Sequence, residues 1–539
     1  MPVFKASGFF VPMRTTHIPV SPDWYTVILQ TYANREHGEV TKRSMTMGAI
    51  ARRITRVITA VVCVAVSVGV SVATLHVPTR EGGGERFNPA RYRSDVIVTM
   101  FQANWKSVAR ECGEVLGPEG VGYVQVSPPQ ESIQGTQWWT SYQPVSYKLD
   151  SKEGTEAEFK NMVRQCKAAG VGVIADTVIN HTTGVDKTQG TGTAGSPYDN
   201  KGDFPEAGYT PSDFHAPCSI WTYRDAESVW NCQVSGLQDL DTSSPHVRDV
   251  LSDYFVKLLD YGVAGFRVDA VKHMPPEDVL AIKKLVAKKS GRSMNDIWWT
   301  QEVIGDNAEA AEIQPRNYLK TGQVNEFQYA YRLKSLFSNS LAGGSLSIKD
   351  IPQNITDSGK ASVFVTNWDT ERNNMTLTYK DGDAYQLANA FMLAYPYGAP
   401  NVFSGYEFHD TDSGASGATA TSVPDIDCSK DSGWSCTERW PDVHGMVGWH
   451  NVAGDAPLSD WQDDGDNMIA FGRGGRAFIA INNSVRTRTV TYHTALPAGE
   501  YCDVYASADC SGSVHVRFDG DATLTVVQWP SISPRHRIP

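Results

Sequence analysis

The sequence predicts an α/β fold: a closed barrel of parallel strands wrapped by helices, a (β/α)8 or TIM barrel, followed by a smaller antiparallel β domain. Three observations predict it. Short apolar runs alternate with amphipathic helical stretches over about 350 residues, enough for about eight strand–helix units. Acidic residues follow several of those runs. From about Ala453 onward the helical pattern stops and alternating strands bounded by turn residues take over.

Composition removes whole classes. The chain has 539 residues, 41% hydrophobic and 20% charged, with 46 Gly and 28 Pro, so a fibrous or disordered chain is a poor reading. The net charge is −12 and is unevenly spread: residues 1–80 carry nine basic against three acidic side chains, leaving −18 on the remainder. An acidic body lacks the basic stripe that neutralises phosphates, so no nucleic-acid partner is expected.

Taken in chain order, the first feature is the run VITAVVCVAVSVGVSVATL from Val57 to Leu75, preceded by Arg52, Arg53 and Arg56. That is a signal-peptide pattern, and Ser71 and Ala73 offer small residues for cleavage. The run is also long enough to stand as an uncleaved anchor. Residues 1–80 are therefore expected to be an N-terminal extension and signal that is removed, with Met45 or Met47 a candidate start. No membrane contact is expected after cleavage, and the destination is extracellular.

The strand candidates are Val96 to Phe101, Gly122 to Val126, Val171 to Ala175, Val263 to Val268, Ile297 to Thr300, Ala361 to Val365 and Asn401 to Phe403. Glu156 to Ala169 and Val247 to Tyr261 carry apolar residues at helical spacing. An open doubly wound sheet would have a glycine-rich turn after its first strand, and none is present. The nearly sixty residues between His181 and Gln238, rich in Gly, Thr, Asp, Pro and aromatics, form a loop long enough to have a function of its own. The domain reading is 81–181 and 239–450 for the barrel, 182–238 for the inserted segment and 451–530 for the β domain.

Eight cysteines besides Cys63 form an even set in a chain read as exported, so disulfides are expected. Cys428 with Cys436 and Cys502 with Cys510 suggest local staples. A zinc site is the rival use, and no C-x-x-C spacing supports it.

The acids carry the chemistry. VGVIA is followed by Asp176, VAGFRV by Asp269, WWTQ by Glu302 and VFVTNW by Asp369. In a barrel the loops at the carboxyl ends of the strands build the site, so these four converge. Each alone reads equally well as a cap or a surface ion pair; four together point to glycosyl chemistry. Arg267 and Asp269 are two apart and share a strand face, so the guanidinium is expected to keep Asp269 ionised as a nucleophile. Glu302 follows Trp298 and Trp299, whose apolar surroundings favour a protonated acid/base.

DTVINH (Asp176 to His181), GFRVDAVKH (Gly265 to His273), EVIG (Glu302 to Gly305) and FVTNWD (Phe364 to Asp369) resemble the four short regions of α-amylases, glycoside hydrolase family 13. GLQDLD (Gly236 to Asp241) and WWTSYQPVSYKL (Trp138 to Leu149) are similar to further amylase segments, and the resemblance runs over roughly residues 95 to 525, nearest the secreted actinobacterial and animal-type enzymes. It implies a loop-rich domain B after the third strand and a C-terminal β-sandwich. It also implies Asp269 as nucleophile, Glu302 as acid/base and Asp369 as the acid that orients substrate. His181, Arg267, Lys272 and His273 match subsite residues, and Trp138, Trp139, Tyr142 and Gln143 a segment whose aromatics stack on glucose rings; Trp138 reads equally as core.

A structural calcium is implied as well, held by the side chains of Asn180 and Asp239 and the backbone carbonyls of Trp230 and His273, an oxygen set suited to a hard cation. The same resemblance pairs Cys112 with Cys166 and Cys218 with Cys232. The function it implies is a secreted endo-acting α-amylase cutting internal α-1,4 bonds of starch with retention, acting as a monomer; transglycosylation or a restricted product is a variant of that reading.

Two departures stand out. Trp368 and Thr366 replace the histidine and the acid usual in the fourth region, and indole has a single donor. Reduced turnover is expected, and a glucan-binding protein with weak or no activity is the alternative. Arg267 and Asn367 fit a chloride site, but Asn401 stands where a third, basic ligand often sits, so chloride dependence is not expected.

Overall fold

The computed structural model describes residues 9–12, 94–184, 189–338, 356–465, 467–484, 486–506 and 510–526. The run Val57–Leu75, read above as a signal, lies outside the described residues, and among those described no helix is long and apolar enough to cross a membrane.

Eight strands close a parallel barrel: β1 (Ile97–Met100), β2 (Tyr123–Val126), β3 (Gly172–Thr177), β4 (Gly265–Val268), β5 (Trp298–Gln301), β6 (Gln323–Asn325), β7 (Ala361–Phe364) and β8 (Ala399–Ser404). Nearly every strand residue is buried, which is why these segments read as unbroken apolar runs. Seven of the eight coincide with the apolar runs. The eighth, β6, was not anticipated, because it has three residues and Val324 is its only aliphatic one.

Around the barrel run α1 (Trp105–Glu111), α2 (Glu156–Ala168), α3 (Pro245–Tyr261), α4 (Pro276–Ser290), α5 (Phe327–Ser338), α6 (Asp383–Ala394) and α7 (Pro441–Ala453). Local chemistry sets their ends. Thr155 and Glu158 form a reciprocal capping box that starts α2. Proline opens α3 and α4, and Gly262 (φ 99°) and Gly291 (φ 67°) end them in the left-handed conformation.

Between β3 and β4 lies a long insertion of irregular chain. His181–Gly184 pairs with Leu237–Asp239, Gln189–Thr191 with Pro197–Asp199, and one short helix spans Ala226–Asn231. Four disulfides close, Cys112–Cys166, Cys218–Cys232, Cys428–Cys436 and Cys502–Cys510.

The C-terminal strands are β9 (Leu458–Asp463), β10 (Met468–Arg473), β11 (Ala477–Asn482), β12 (Arg488–His493), β13 (Gly499–Asp503), β14 (Ser513–Val516) and β15 (Asp521–Val526). They belong to one antiparallel sheet, which curls over a core of Met468, Phe478, Tyr492, Tyr501, Val516 and Leu524. The sandwich implied by the resemblance is thus a single sheet folded over itself. Within the 1–80 segment expected to take no part in the fold, the backbone of Phe9–Pro12 is described; it lies between β11 and β13, antiparallel to both.

The opposite face of β10 and β11, with Ile469, Phe471, Ile479 and Ile481, joins the barrel core. Phe471 meets Phe391 of α6 at 6.1 Å and the Tyr395 ring at 6.0 Å. Arg473, buried, donates to the carbonyls of Ala394, Gly454 and Ala456 at 2.9, 2.5 and 2.6 Å, satisfying exposed carbonyls at the ends of α6 and α7.

Candidate active site

Strand register brings the acids together. Asp176 on β3 and Arg267 on β4 are direct partners, and Arg267 pairs with Thr300 on β5, two residues before Glu302. The Arg267 guanidinium, almost wholly buried, becomes the hub. Nη1 donates to Asp176 Oδ1 at 2.9 Å and to Asp269 Oδ1 at 2.7 Å, while Nη2 meets Glu302 Oε1 at 3.0 Å. Tyr142 Oη donates to Asp176 Oδ2 at 2.9 Å from the other side. One cation thus holds three carboxylates whose mutual repulsion would otherwise drive them apart.

Directly after Asp269 the chain turns through Ala270, which adopts φ +50° although it is not glycine. A residue in this region costs about 1–2 kcal/mol. The turn aims the Ala270 N–H at Glu302 Oε2, 2.8 Å away.

Burial dominates the ionisation of the cluster. Asp269 is pushed up to about 6 by desolvation, with Arg267 pulling it back down and Asp176 adding to the rise. Arg267 favours the charged carboxylate, and desolvation opposes it with the larger effect. Glu302 is raised by burial first, opposed by Arg267 and raised further by the Asp269 charge. Asp369 is pushed up to about 8 by burial and by the charge of Glu302. Burial therefore makes each of these carboxyls harder to ionise, and the coupled cluster titrates as a set.

A cleft of about 510 Å³ opens over these groups. Its lining brings together Trp138, Trp139, Tyr142, Gln143, His181, Asp269, Lys272, His273, Glu302 and Asp369. Arg267 lies behind the surface instead, gripping the acids. His181 Nε2 donates to the Tyr142 carbonyl at 3.0 Å and is lowered to about 4 by burial, so it is neutral. His273 is lowered to about 3 by burial and by the charge of Lys272. Gln143 Oε1 accepts from Gly184 N at 2.8 Å and anchors the inserted segment.

Trp368, 4% exposed, sits in the cleft wall. Its ring stacks on Phe101 at 5.2 Å with planes 4° apart, and Arg267 Cζ lies 4.8 Å from its centroid. Trp138 meets Phe101 edge-on at 5.9 Å and bonds the Thr411 carbonyl through Nε1 at 2.8 Å, so it is both packed and part of the lining. Thr366 turns its hydroxyl to Thr376 Oγ1 at 2.7 Å. Asn367 uses its side-chain oxygen on the backbone of Asp369 and Thr370, shaping the turn that presents Asp369.

Asn180 lies beside Asp239, and the helix of Trp230 beside the turn of His273. Leu240 N donates to the Asn180 carbonyl at 3.0 Å, and His181 pairs with Asp239. Asn180 Nδ2 lies 3.3 Å from His181 Nδ1, which leaves its Oδ1 buried without a partner; Asp239 Oδ1 is buried and unpaired as well, its Oδ2 taking His215 Nδ1 at 2.7 Å. The helix carrying Trp230 packs on the turn carrying His273, whose ring is supported by the Val229 carbonyl.

Sequence reasoning missed Val234, Ser235, Leu237, Ala270 and Ile304 in the lining. Ser235, like Ala270, has a positive φ (+51°), which a single sequence does not reveal. Ile304 lies in the EVIG stretch and could have been found there.

Comparison with known proteins decides the lineage. The family profile "Alpha amylase, catalytic domain" matches residues 126–451, and "Alpha amylase, C-terminal all-beta domain" matches 459–531. The chain belongs to the α-amylase family. It is 44% identical to an α-amylase of Streptomyces violaceus over 436 residues, 80% of this chain and 72% of that one. It is 39% identical to an α-amylase of Tenebrio molitor, covering 80% and 94% of the two chains. Among solved structures, a crystal structure of a variant α-amylase I from Eisenia fetida in complex with maltohexaose superposes with a TM-score of 0.76 at 34% identity, over 81% of this chain and 96% of that one. The barrel and the antiparallel sheet are thus those of an α-amylase-type glycoside hydrolase.

Proposed function

We propose that this chain is a secreted, endo-acting α-amylase that hydrolyses internal α-1,4-glucosidic bonds of starch and related glucans with retention. The observation that carries the reading is the convergence of Asp269 and Glu302 on one guanidinium, at the base of an aromatic-walled cleft that also presents Asp369. The maltohexaose bound by the Eisenia fetida relative supports a glucan substrate. Two carboxyls held by one guanidinium suit the retaining arrangement, whose two carboxyls stand about 5–5.5 Å apart, better than the wider inverting one.

In this reading Asp269 attacks the anomeric carbon while the bond to the departing sugar breaks and Glu302 gives its proton to the leaving oxygen. A glycosyl ester on Asp269 results. Glu302, now a carboxylate, takes a proton from water; that water attacks the anomeric carbon and frees Asp269. Arg267 spreads positive charge over both acids throughout, and Asp369 holds the sugar hydroxyls beside the reacting carbon. Reducing-sugar release from soluble starch tests this. Asp269→Asn and Glu302→Gln are each expected to lose about a thousandfold or more in kcat, and activity equal to the unaltered protein in both would overturn the assignment.

The buried, unpaired oxygens of Asn180 and Asp239 fit a hard cation, and calcium is the reading; bound there, it would supply charge that ties domain B to the barrel. Chloride is not part of the reading. Asn401 spends its amide on Thr99 Oγ1 at 2.9 Å and Gln125 Oε1 at 3.4 Å beside an internal space of about 20 Å³, and brings no positive charge. The disulfides and the Val57–Leu75 run support export. Removal of residues 1–80 would also withdraw the Phe9–Pro12 strand from between β11 and β13. A monomer is the working state. The contacts of Asp176, Asp269 and Glu302 to Arg267 favour lower turnover over a non-catalytic glucan binder.

A further inference from the structure

Beside the acids the cleft is lined by Lys272 and His273. Lys272, in its lining, forms an ion pair with Glu309 and lies 5.1 Å from the centroid of the Tyr223 ring. The same ring meets His273 edge-on at 5.8 Å. The Tyr223 carbonyl accepts from Ala310 N at 2.8 Å, so this part of domain B is tied to the loop that follows Glu302. Two residues earlier, Trp221 is 74% exposed, more than any other large apolar side chain among the described residues except Phe518. Its backbone is fixed: Trp221 N donates to Ser228 Oγ at 3.2 Å, and the Cys218–Cys232 disulfide closes the segment. A bare indole on a pinned loop leaves apolar surface in water, whose burial is worth about 25 cal/mol per Å².

We propose that Trp221 is a further glucan-binding platform, extending the cleft on the leaving-group side with Tyr223 as the step between. The inference rests on the glucan reading of the cleft. Its side follows from the chemistry. An acid/base serves the departing oxygen, so the departing half of the chain runs along the neighbours of Glu302, which are Ile304, Glu309 and, through Glu309, Lys272. Tyr223 belongs to that group by its contacts with Lys272, His273 and Ala310. Trp138, Tyr142 and Trp368 form a separate wall with Phe101. A flat indole face suits the apolar face of a pyranose and leaves the hydroxyls to water.

The test compares maltoheptaose with maltotriose. In Trp221→Ala the ratio of kcat/KM on the longer to that on the shorter substrate is expected to fall on the order of fivefold, with Trp221→Phe restoring most of it and Phe518→Ala, a distant exposed aromatic, leaving it as it was. Titration of the Asp269→Asn protein with the same two sugars is expected to show the same selective loss of affinity for maltoheptaose when Trp221→Ala is added. An unchanged ratio overturns the platform. So does an equal loss on both lengths, which marks a structural role, or a change confined to self-association in sedimentation. If the unaltered protein neither cleaves nor binds either sugar, the amylase reading itself fails; if it does and only the ratio is unmoved, the platform alone fails.

Discussion

Arg267 shows how much one side chain can decide. It is the only guanidinium among the described residues in contact with Asp176, Asp269 and Glu302. A lysine would supply one point charge where a planar fork now spans three acids. Arg267→Lys is therefore expected to raise the Asp269 carboxyl above its present value of about 6. The nucleophile must be ionised, so a raised value means protonation sets in earlier on acidification. The acid limb of the kcat/KM profile against pH should move to higher pH, with kcat/KM at the optimum lower by about a hundredfold. Trp368 makes the opposite kind of prediction. Trp368→His restores a second ring nitrogen at the cleft and gives up stacking on Phe101 worth about 0.5–1.5 kcal/mol. Turnover on starch should rise while the thermal midpoint falls by about 2 °C.

At the scale of elements, the inserted segment between β3 and β4 is held by buried aromatics, Tyr198, Phe204 and Tyr209, that join the barrel's apolar cluster, and by polar anchors such as Gln143 to Gly184. Chelation with excess EDTA is expected to lower the thermal midpoint and added calcium to restore it, whereas Asn180→Ala should blunt the response; a midpoint indifferent to chelator would remove calcium from the account. Cys112–Cys166 ties α1 to α2 across 54 residues. By loop-closure entropy its removal in a Cys112→Ser, Cys166→Ser variant should cost about 4 kcal/mol, readable as a lower denaturant midpoint. The same scale shows what the sequence discloses. Strands β1 to β5, β7 and β8 are legible because burial on both faces leaves an apolar run, and the acids at the ends of β3, β4, β5 and β7 are legible because each breaks that run. β6 and β9 are not: Gln323–Asn325 and Leu458–Asp463 are mostly polar, held by neighbours more than by their own composition. Ala270 and Ser235 turn by backbone conformations that tertiary contacts impose, and Trp221 stands in a loop with no periodicity to mark it.

Across the whole molecule, the barrel and the C-terminal sheet share one continuous apolar cluster, with Phe391 and Trp449 on one side and Phe471 and Ile479 on the other. Trp449 Nε1 donates to the Phe478 carbonyl at 3.2 Å, and Arg473 reaches three carbonyls across the joint. Arg473→Met keeps the bulk and strands those carbonyls, so a loss of about 3 kcal/mol is expected, measured as a lower urea midpoint with a single transition. Two separate transitions would show that the halves unfold independently.

That joint bears on how the protein can be cut. A gene ended after Ala453 would strip α6 and α7 of their greasy backing and uncap their tails together, so the shortened product should clump during refolding. Anyone wanting a minimal catalytic cassette for fusion or display has to carry the chain through Val526.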